Sequence, residues 1–582
     1  MFIRNIWQKL QVLMRWDKPF NWPSPKQWKG LFNALSFKER VILTLSLSLV
    51  AAGLTIWTVV FLTSHLAQKP TEGGTYTEAL VGQPRHINPV LAASNPVDRD
   101  LTALIFSGLT RYDKNGKIVP DLAERWDILE DGKVYEFHLR PNIFWPDGEP
   151  ITADDAIFTV QKIQNPAIHS PFLPNWLSVK TEQGQDQLTV KFILTAPYAP
   201  FLNNTTVGIL PKHMWGDVPN ENFSSHELNI KPMGAGMYAI TKIERDRSSG
   251  AINSLSLKTN DKYWNNLPYI QTIKIQFFEN MQAAIDTYNQ RGVDAVGGID
   301  PNMRGLLRPG RRIVSATLPR YFGVFFNQTQ SKALADRIVR IALSYGTDKN
   351  KILKEVWRQD GEAVIGPILP GMIGYTSDLP IYGFDPEHAR KMLDEAGWTD
   401  SDQNGIRDKK GTQLAIVLTT SDAPELTKTA DLLKSFWTDI GVAVNVKVLS
   451  AADLREQAIR PRSYEALLYG YDLGADPDPF SFWHSSQRFD PWPNLTLYNN
   501  KEADRVLEEA RQKFDQERRA ELYRAFQKMV VEDAPAIFLV SPKFIYPTIA
   551  NLEGLDLSFL PNPSWRFAEI NNWYLKTKLQ WE

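Results

Sequence analysis

Apolar and polar positions follow two periods along this chain. Val134–Leu139, Leu188–Leu194, Ser254–Lys258, Ile273–Phe278, Tyr321–Phe326, Leu414–Thr419 and Val442–Val448 are short strand-like runs, several of them alternating. Alternation puts successive side chains on opposite faces, as in a half-buried strand. Residues 424–440 and 501–533 instead carry apolar stripes at helical spacing between mixed-sign faces. Asp385, Pro386 and Gly397 bracket a further helix. Asp suits the N-cap, Pro the first helical position, and Gly the C-terminal stop. Strands and helices are interspersed without a simple repeat, which excludes all-α and all-β folds. A mixed α/β protein with at least two lobes is expected.

One stretch has neither period. Residues 41–62 are uncharged over 22 positions, with Ser and Thr as the polar members. As a helix this stretch spans about 33 Å, enough for a hydrocarbon layer of roughly 30 Å. Residues 1–40 hold eight Lys/Arg against Asp17 and Glu39, whereas 63–75 hold Lys69 and Glu72. The positive-inside rule then places the N-terminus in the cytoplasm and the bulk of the chain outside. Both the basic segment and the apolar stretch are long for a cleaved leader, and His65 is a poor −3 residue for cleavage after Ala67. An uncleaved signal anchor is expected. Trp7, Trp16, Trp22 and Trp28 lie among basic residues, a composition that suits an interfacial helix.

Length and charge narrow the classes further. The 582 residues exceed one domain, and 43% hydrophobic with 23% charged content is ordinary for a globular protein. Lys+Arg is 65 and Asp+Glu is 66, so no bulk basic field exists for nucleic acid. Cysteine is absent, which removes disulfides, thiolate nucleophiles, Cys-bound metals and a cysteine-borne lipid anchor. The 18 Trp, 19 Tyr and 29 Phe offer rigid surfaces for a core or a ligand cleft.

Motifs for catalysis are missing. The chain has no G-x-x-x-x-G-K-[ST], H-E-x-x-H or G-x-S-x-G. Gly234 to Ala239 matches G-x-G-x-x-A, but a strand pattern follows it where a nucleotide site needs a helix. The eight histidines are scattered without ligand spacing. Asp400, Asp402, Asn404, Gly405 and Asp408 match part of a calcium loop, with Gly411 where the bidentate Glu would stand. An Asp/Asn/Gly-rich turn is the favoured reading, calcium the weaker one, and no cofactor is expected. A Pro/Gly-rich segment from Tyr469 to Gln487 gathers Asp472, Asp476 and Asp478 with Trp483, His484 and other aromatics. Carboxylates beside aromatic walls suit a cationic amine with apolar side chains, and they equally serve as turn caps.

Ten segments, each weak alone, then stand in a familiar order. They are Ile87-Asn88-Pro89; Asp98 to Tyr112; Pro120 to Trp126; Phe137 to Arg140; and Trp145-Pro146-Asp147-Gly148 with Thr152-Ala153-Asp154-Asp155. Pro232 to Tyr238, Asn260 to Trp264, Phe326-Asn327, Val339 to Ala342 and Tyr382 to Pro386 complete the series. From about residue 75 onward the chain resembles the extracellular solute-binding proteins of peptide ABC importers, the dipeptide/oligopeptide/nickel-binding family.

The resemblance implies a two-lobed periplasmic-binding-protein-like α/β fold with a hinge, preceded here by one transmembrane helix. Its divisions would be a basic cytoplasmic segment (1–40), the anchor (41–62), a tether (63–75), lobe I (75–321 plus 540–582) and lobe II (322–539). The implied function is capture of peptides between the lobes and delivery to a permease and its ATPase, by a monomer and without chemistry. In such proteins an Asp on the loop before a D-P pair meets the ligand's amino group. Asp472 is the nearest counterpart, with Asp476 as a rival. Tyr321, Phe322 and Asn327 are expected in the cleft, and Trp483 and His484 are expected to line or support it. Nickel chelates, sugars, a sensory role without import and an anchored hydrolase are the competing readings.

Overall fold

The computed structural model describes residues 24–581, in two compact units: the segments up to Thr71 and from Lys576 form one, and Glu72–Leu575 the other. Trp7, Trp16 and Trp22 lie outside the described residues.

In the first unit a short helix, Pro25–Ala34, precedes a long one, Phe37–His65. Ser24 and Gln27 form a capping box at the start of the short helix. Residues Phe37–Phe61 have a mean hydropathy of 1.9, and no part of their apolar window is buried inside the protein. The hydroxyls of Thr44, Thr55, Thr58 and Thr63 donate back to carbonyls four residues earlier at 2.7–2.9 Å. These four hydroxyls are thereby satisfied within the helix, as an apolar surrounding requires. The expected tether is partly structured: Leu66–Thr71 is a strand, paired antiparallel with the C-terminal strand Lys576–Trp581.

The second unit is built on a 12-stranded sheet. Its longest strand, Ala536–Thr548, has two sets of neighbours. The first part pairs with Arg320–Phe326 and Gly361–Ala363. The second part pairs with Arg312–Thr317 and touches Ala295. Arg312–Thr317 and Arg320–Phe326 are joined through Leu318 and Pro319, so two adjacent chain segments pass from one half of the sheet to the other. Thr75–Val81, Thr272–Phe278, Ile252–Thr259 and Tyr238–Arg245 extend one half; Ala466–Asp472, Ala415–Ser421 and Ala443–Leu449 extend the other.

Alternation along the central strands sorts their side chains into separate cores. Val324, Phe326, Leu468, Ile537 and Leu539 enter a core with Trp437. Tyr321, Phe325, Leu467, Tyr471 and Phe538 enter a core with Trp483 and Tyr523 on the other face. Both faces of these strands are therefore covered. A third core gathers residues from Tyr76 to Leu318 and from Phe544 to Trp573, around Trp145, Trp215 and Tyr238.

The strands and the capped helix foreseen from the pattern are present, with shifts of a residue or two at their ends. Residues 501–533 split into Lys501–Gln512 and Gln516–Asp533. The break falls where Asp515 accepts the Arg518 amide at 2.7 Å, so this side chain caps a new helix.

Candidate ligand-binding site

A cavity of about 600 Å³ opens between the loop Asp472–Phe482 and the wall built by Pro96–Ile105, Thr110–Tyr112 and the segment around Tyr198. The helix Pro96–Ile105 starts at Asn95, whose side chain accepts the Val97 amide at 3.0 Å. Val97, Leu101 and Leu104 face the core. Helical periodicity then turns Arg99, Thr102 and Ala103 to the cavity. The helix is pinned from behind by Asp100. Arg566 is fully buried and holds Asp100 at 2.6 Å and Glu78 at 2.7 Å. Burial opposes the Arg566 charge, but Asp100 and Glu78 outweigh it and keep the guanidinium well above its ordinary value. Burial pushes Glu78 upward against the same pair. Tyr546 donates to Glu78 at 2.7 Å, completing the cluster.

Gly234 and Gly236 serve this helix, not a nucleotide. A Cβ on Gly236 would stand 2.5 Å from the Ile105 carbonyl carbon, and one on Gly234 2.2 Å from its oxygen. The Gly236 amide donates to that oxygen at 2.8 Å. Close backbone approach is what these glycines permit.

The three loop carboxylates have different fates. Asp476 binds Arg519 through two contacts of 2.5 and 2.6 Å. Asp478 binds Arg511 at 2.7 Å and accepts the Tyr198 hydroxyl at 3.2 Å. Arg511 in turn lies 3.7 Å over Phe480, which stacks on His484 at 4.0 Å. Asp472 accepts the Gly474 amide at 3.2 Å and has no ion pair among the described residues. It is exposed and lines the cavity. Arg320 stands opposite it in the strand ladder without closing to an ion pair.

The opposite wall is cationic and phenolic. Arg111 is paired with Glu569 at 3.1 Å. Arg99 donates to the Ala93 carbonyl at 2.9 Å and, among the described residues, has no carboxylate partner and no acceptor for its buried Nε. Thr102 Oγ1 and Arg111 Nε are likewise buried and unpartnered among the described residues. Asp121, also on the lining, is pushed up to about 6 by burial, against the Trp264 indole donor at 2.9 Å and the Arg111 charge. Tyr112 donates to Asn203 at 2.7 Å, and Trp565 stands edge-on to its ring. Arg99, Thr102, Arg111, Tyr112 and Asp121 were absent from the residues expected in the cleft. Arg99 and Thr102 sit on the helix Pro96–Ile105, whose helical spacing was the available signal, whereas Arg111 and Tyr112 lie on the strand Thr110–Tyr112.

Of the residues expected at the site, Asp472 and Asp476 reach the cavity, Asp476 already neutralised. Tyr321 does not line it. Strand alternation buries it against Tyr471 and Phe538 in the core beneath the loop. Phe322, on the opposite face of the same strand, packs on Trp357 and borders a separate cavity of about 390 Å³ beside Pro542. Asn327 is buried and donates to the Arg462 carbonyl at 2.9 Å, closing the turn after its strand. Trp483 is 1% exposed, packed with Tyr498, Phe526 and Phe538. His484 bonds Ser486 at 2.8 Å and Glu508 at 3.2 Å away from the cavity. The last two residues support the loop.

The Asp400–Asp408 segment folds onto itself. Asp400 accepts the amides of Asn404 and Gly405 at 3.0 and 2.9 Å, and Asp408 accepts the Ser401 hydroxyl at 2.5 Å. Those bonds hold the Asp408 carboxyl below its ordinary range. The carboxylates are satisfied by their own turn. Among the described residues, no three His, Asp or Glu side chains converge as a metal site.

A hinged pair of sheet halves with a polar, aromatic-walled cavity beside the crossing strands defines a two-lobed binding protein. Residues 117–513 match the bacterial extracellular solute-binding proteins, family 5 (middle region), and the chain belongs to that family. It is accordingly a binding protein and not an enzyme. The oligopeptide-binding protein AppA of Bacillus subtilis is 26% identical over 517 residues, covering 88% of this chain and 93% of AppA. The dipeptide-binding protein of Escherichia coli is 25% identical over 553 residues, covering 89% and 96%. The structure of Bacillus subtilis AppA in complex with a nonapeptide superposes with a TM-score of 0.68 at 26% identity, over 87% of this chain and all of that one. NikZ of Campylobacter jejuni in complex with Ni(L-His) gives 0.69 at 27% identity, over 86% and 99%.

Proposed function

We propose that this chain is the membrane-anchored, extracellular substrate-binding component of an ABC importer and that it captures peptides with free termini. The reading is carried by Asp472: all three loop carboxylates line the cavity, and it is the one with no guanidinium ion pair among the described residues. A ligand ammonium group supplies the missing cation, in a charge-assisted hydrogen bond. Arg99 offers the complementary cation on the other wall, for a ligand carboxylate. The volume lies in the usual ~300–1,000 Å³ range for enclosed ligands. The peptide complex of AppA supports the ligand class.

Closure would occur about the paired crossings near Leu318–Arg320 and Ser541–Lys543. Lobe I then comprises roughly 75–321 with the returning segment after 540, and lobe II 322–539. A monomer presents the closed form to the permease. The basic residues before the apolar helix support a cytoplasmic N-terminus. Because the chain has no native cysteine, single cysteines placed before and after the helix report this topology by impermeant labelling.

The decisive experiment is mass spectrometry of ligands that co-purify with the full chain in detergent. Peptides with free amino termini are expected. A bound metal chelate or sugar with no peptide would sink the reading.

A further inference from the structure

The ribbon that continues the apolar helix is a second binding surface. Leu66–Thr71 follows Phe37–His65 without a break and pairs antiparallel with Lys576–Trp581. In this register Lys69 stands directly opposite Lys578. Lys576 lies two residues from Lys578, opposite Thr71. Residues facing each other across an antiparallel pair share a face, as do residues two apart along a strand. Lys69, Lys576 and Lys578 therefore form one triangle on one face. All three are exposed, and none has an ion pair among the described residues. Neither strand contains a carboxylate. Gln68, Pro70 and Thr577 occupy the alternate positions and carry no charge.

Like charges directly opposite each other in a ladder are unfavourable. A ribbon that keeps such a pair, with a third ammonium group beside it, is matched to an anionic partner. The helix identifies which one. Lys69 is four residues beyond His65, about 13 Å of strand, and a ribbon lying along the bilayer brings all three groups to the headgroups.

We infer that the Lys69/Lys576/Lys578 face binds anionic phospholipid headgroups at the end of the anchor. The strand Lys576–Trp581 supplies two of the three charges, so the lipid site exists only when this strand is paired with Leu66–Thr71. This inference rests on the reading of Phe37–Phe61 as a membrane span.

The test uses the full chain in nanodiscs of phosphatidylcholine alone or mixed with phosphatidylglycerol. Amide hydrogen exchange is followed in 66–71 and 576–581. Exchange is expected to slow in the anionic discs by roughly fivefold per engaged lysine. High salt, or the combined Lys69→Gln, Lys576→Gln and Lys578→Gln variant, removes the effect and leaves ligand binding intact. Equal exchange in both lipids overturns the proposal, as does a lipid effect that survives the triple variant. Slowing that requires added permease, not anionic lipid, also overturns it and assigns the face to protein. Alkaline extraction is read separately: a chain released from vesicles overturns the anchor itself.

Discussion

Asp476 meets Arg519 at 2.5 and 2.6 Å, whereas Asp472, four residues earlier, meets no cation within ion-pair distance among the described residues. That difference divides the loop into an ion-paired part and a part whose carboxylate is exposed at the cavity. The Arg519 side chain is 7% exposed and Asp476's is 16%. Asp476 holds the guanidinium well above its ordinary value against the opposing effect of burial. An ion pair so placed is electrically neutral towards a ligand ammonium group, because the Asp476 charge is already matched by Arg519.

Asp472→Asn should weaken peptides with a free amino group by about 1.5–3 kcal/mol, the value of a hydrogen bond to a charged group. N-acetylated peptides should bind equally to both forms. Calorimetric titration of matched peptide pairs measures the difference. Equal losses for both peptides would remove Asp472 from this role.

Asp476→Asn acts on stability instead. It leaves Arg519 buried and unpaired, at a cost of about 3–5 kcal/mol. Denaturant unfolding of the full chain in detergent, followed by tryptophan fluorescence, should show the loss. Combining Asp476→Leu with Arg519→Met should recover most of it, because neither desolvated charge remains.

Arg99→Gln should lower affinity for peptides with a free carboxylate by about 1.5–3 kcal/mol and leave C-terminally amidated peptides unchanged. A uniform loss across both would mean that Arg99 only shapes the wall.

Asp121 supplies a pH signature. Its folded value is raised to about 6 from 3.8. Between roughly pH 4 and 6 the folded state therefore holds the proton that the unfolded state releases, and stability falls as pH rises through this window. Asp121→Asn keeps an acceptor for Trp264 and removes the ionisation. The variant should gain about 3 kcal/mol over the parent at pH 7, from ~1.36 kcal/mol per pKa unit, and nothing below pH 4. Denaturant midpoints across pH 4–7 measure this; a constant offset would show that the gain does not come from titration.

Gly236→Ala should cost about 1–3 kcal/mol, since the added methyl meets the Ile105 backbone and not a mobile side chain. Thermal unfolding checks the loss, and the peptide affinity should fall with it because the helix carrying Arg99 must shift.

Local physics was legible along the chain. Strand alternation, the Asp385 cap and the 22-residue apolar stretch depend on neighbours in sequence, and each appears in the structure with small changes at its ends. The paired ends of the first unit were not legible, because Leu66 and Trp581 meet across more than five hundred residues.

The site was legible only in part. The Asp-rich loop stood out by composition, and it lines the cavity. Which of its carboxylates is free depended on Arg511 and Arg519, brought from a separate helix pair by packing. Tyr321 and Phe322 are adjacent in sequence but face opposite sides of a sheet covered on both faces, so neither reaches the main cavity. Short-range order is encoded by periodicity and capping. The pairing of distant charges and the covering of each sheet face are settled only when the whole chain has packed.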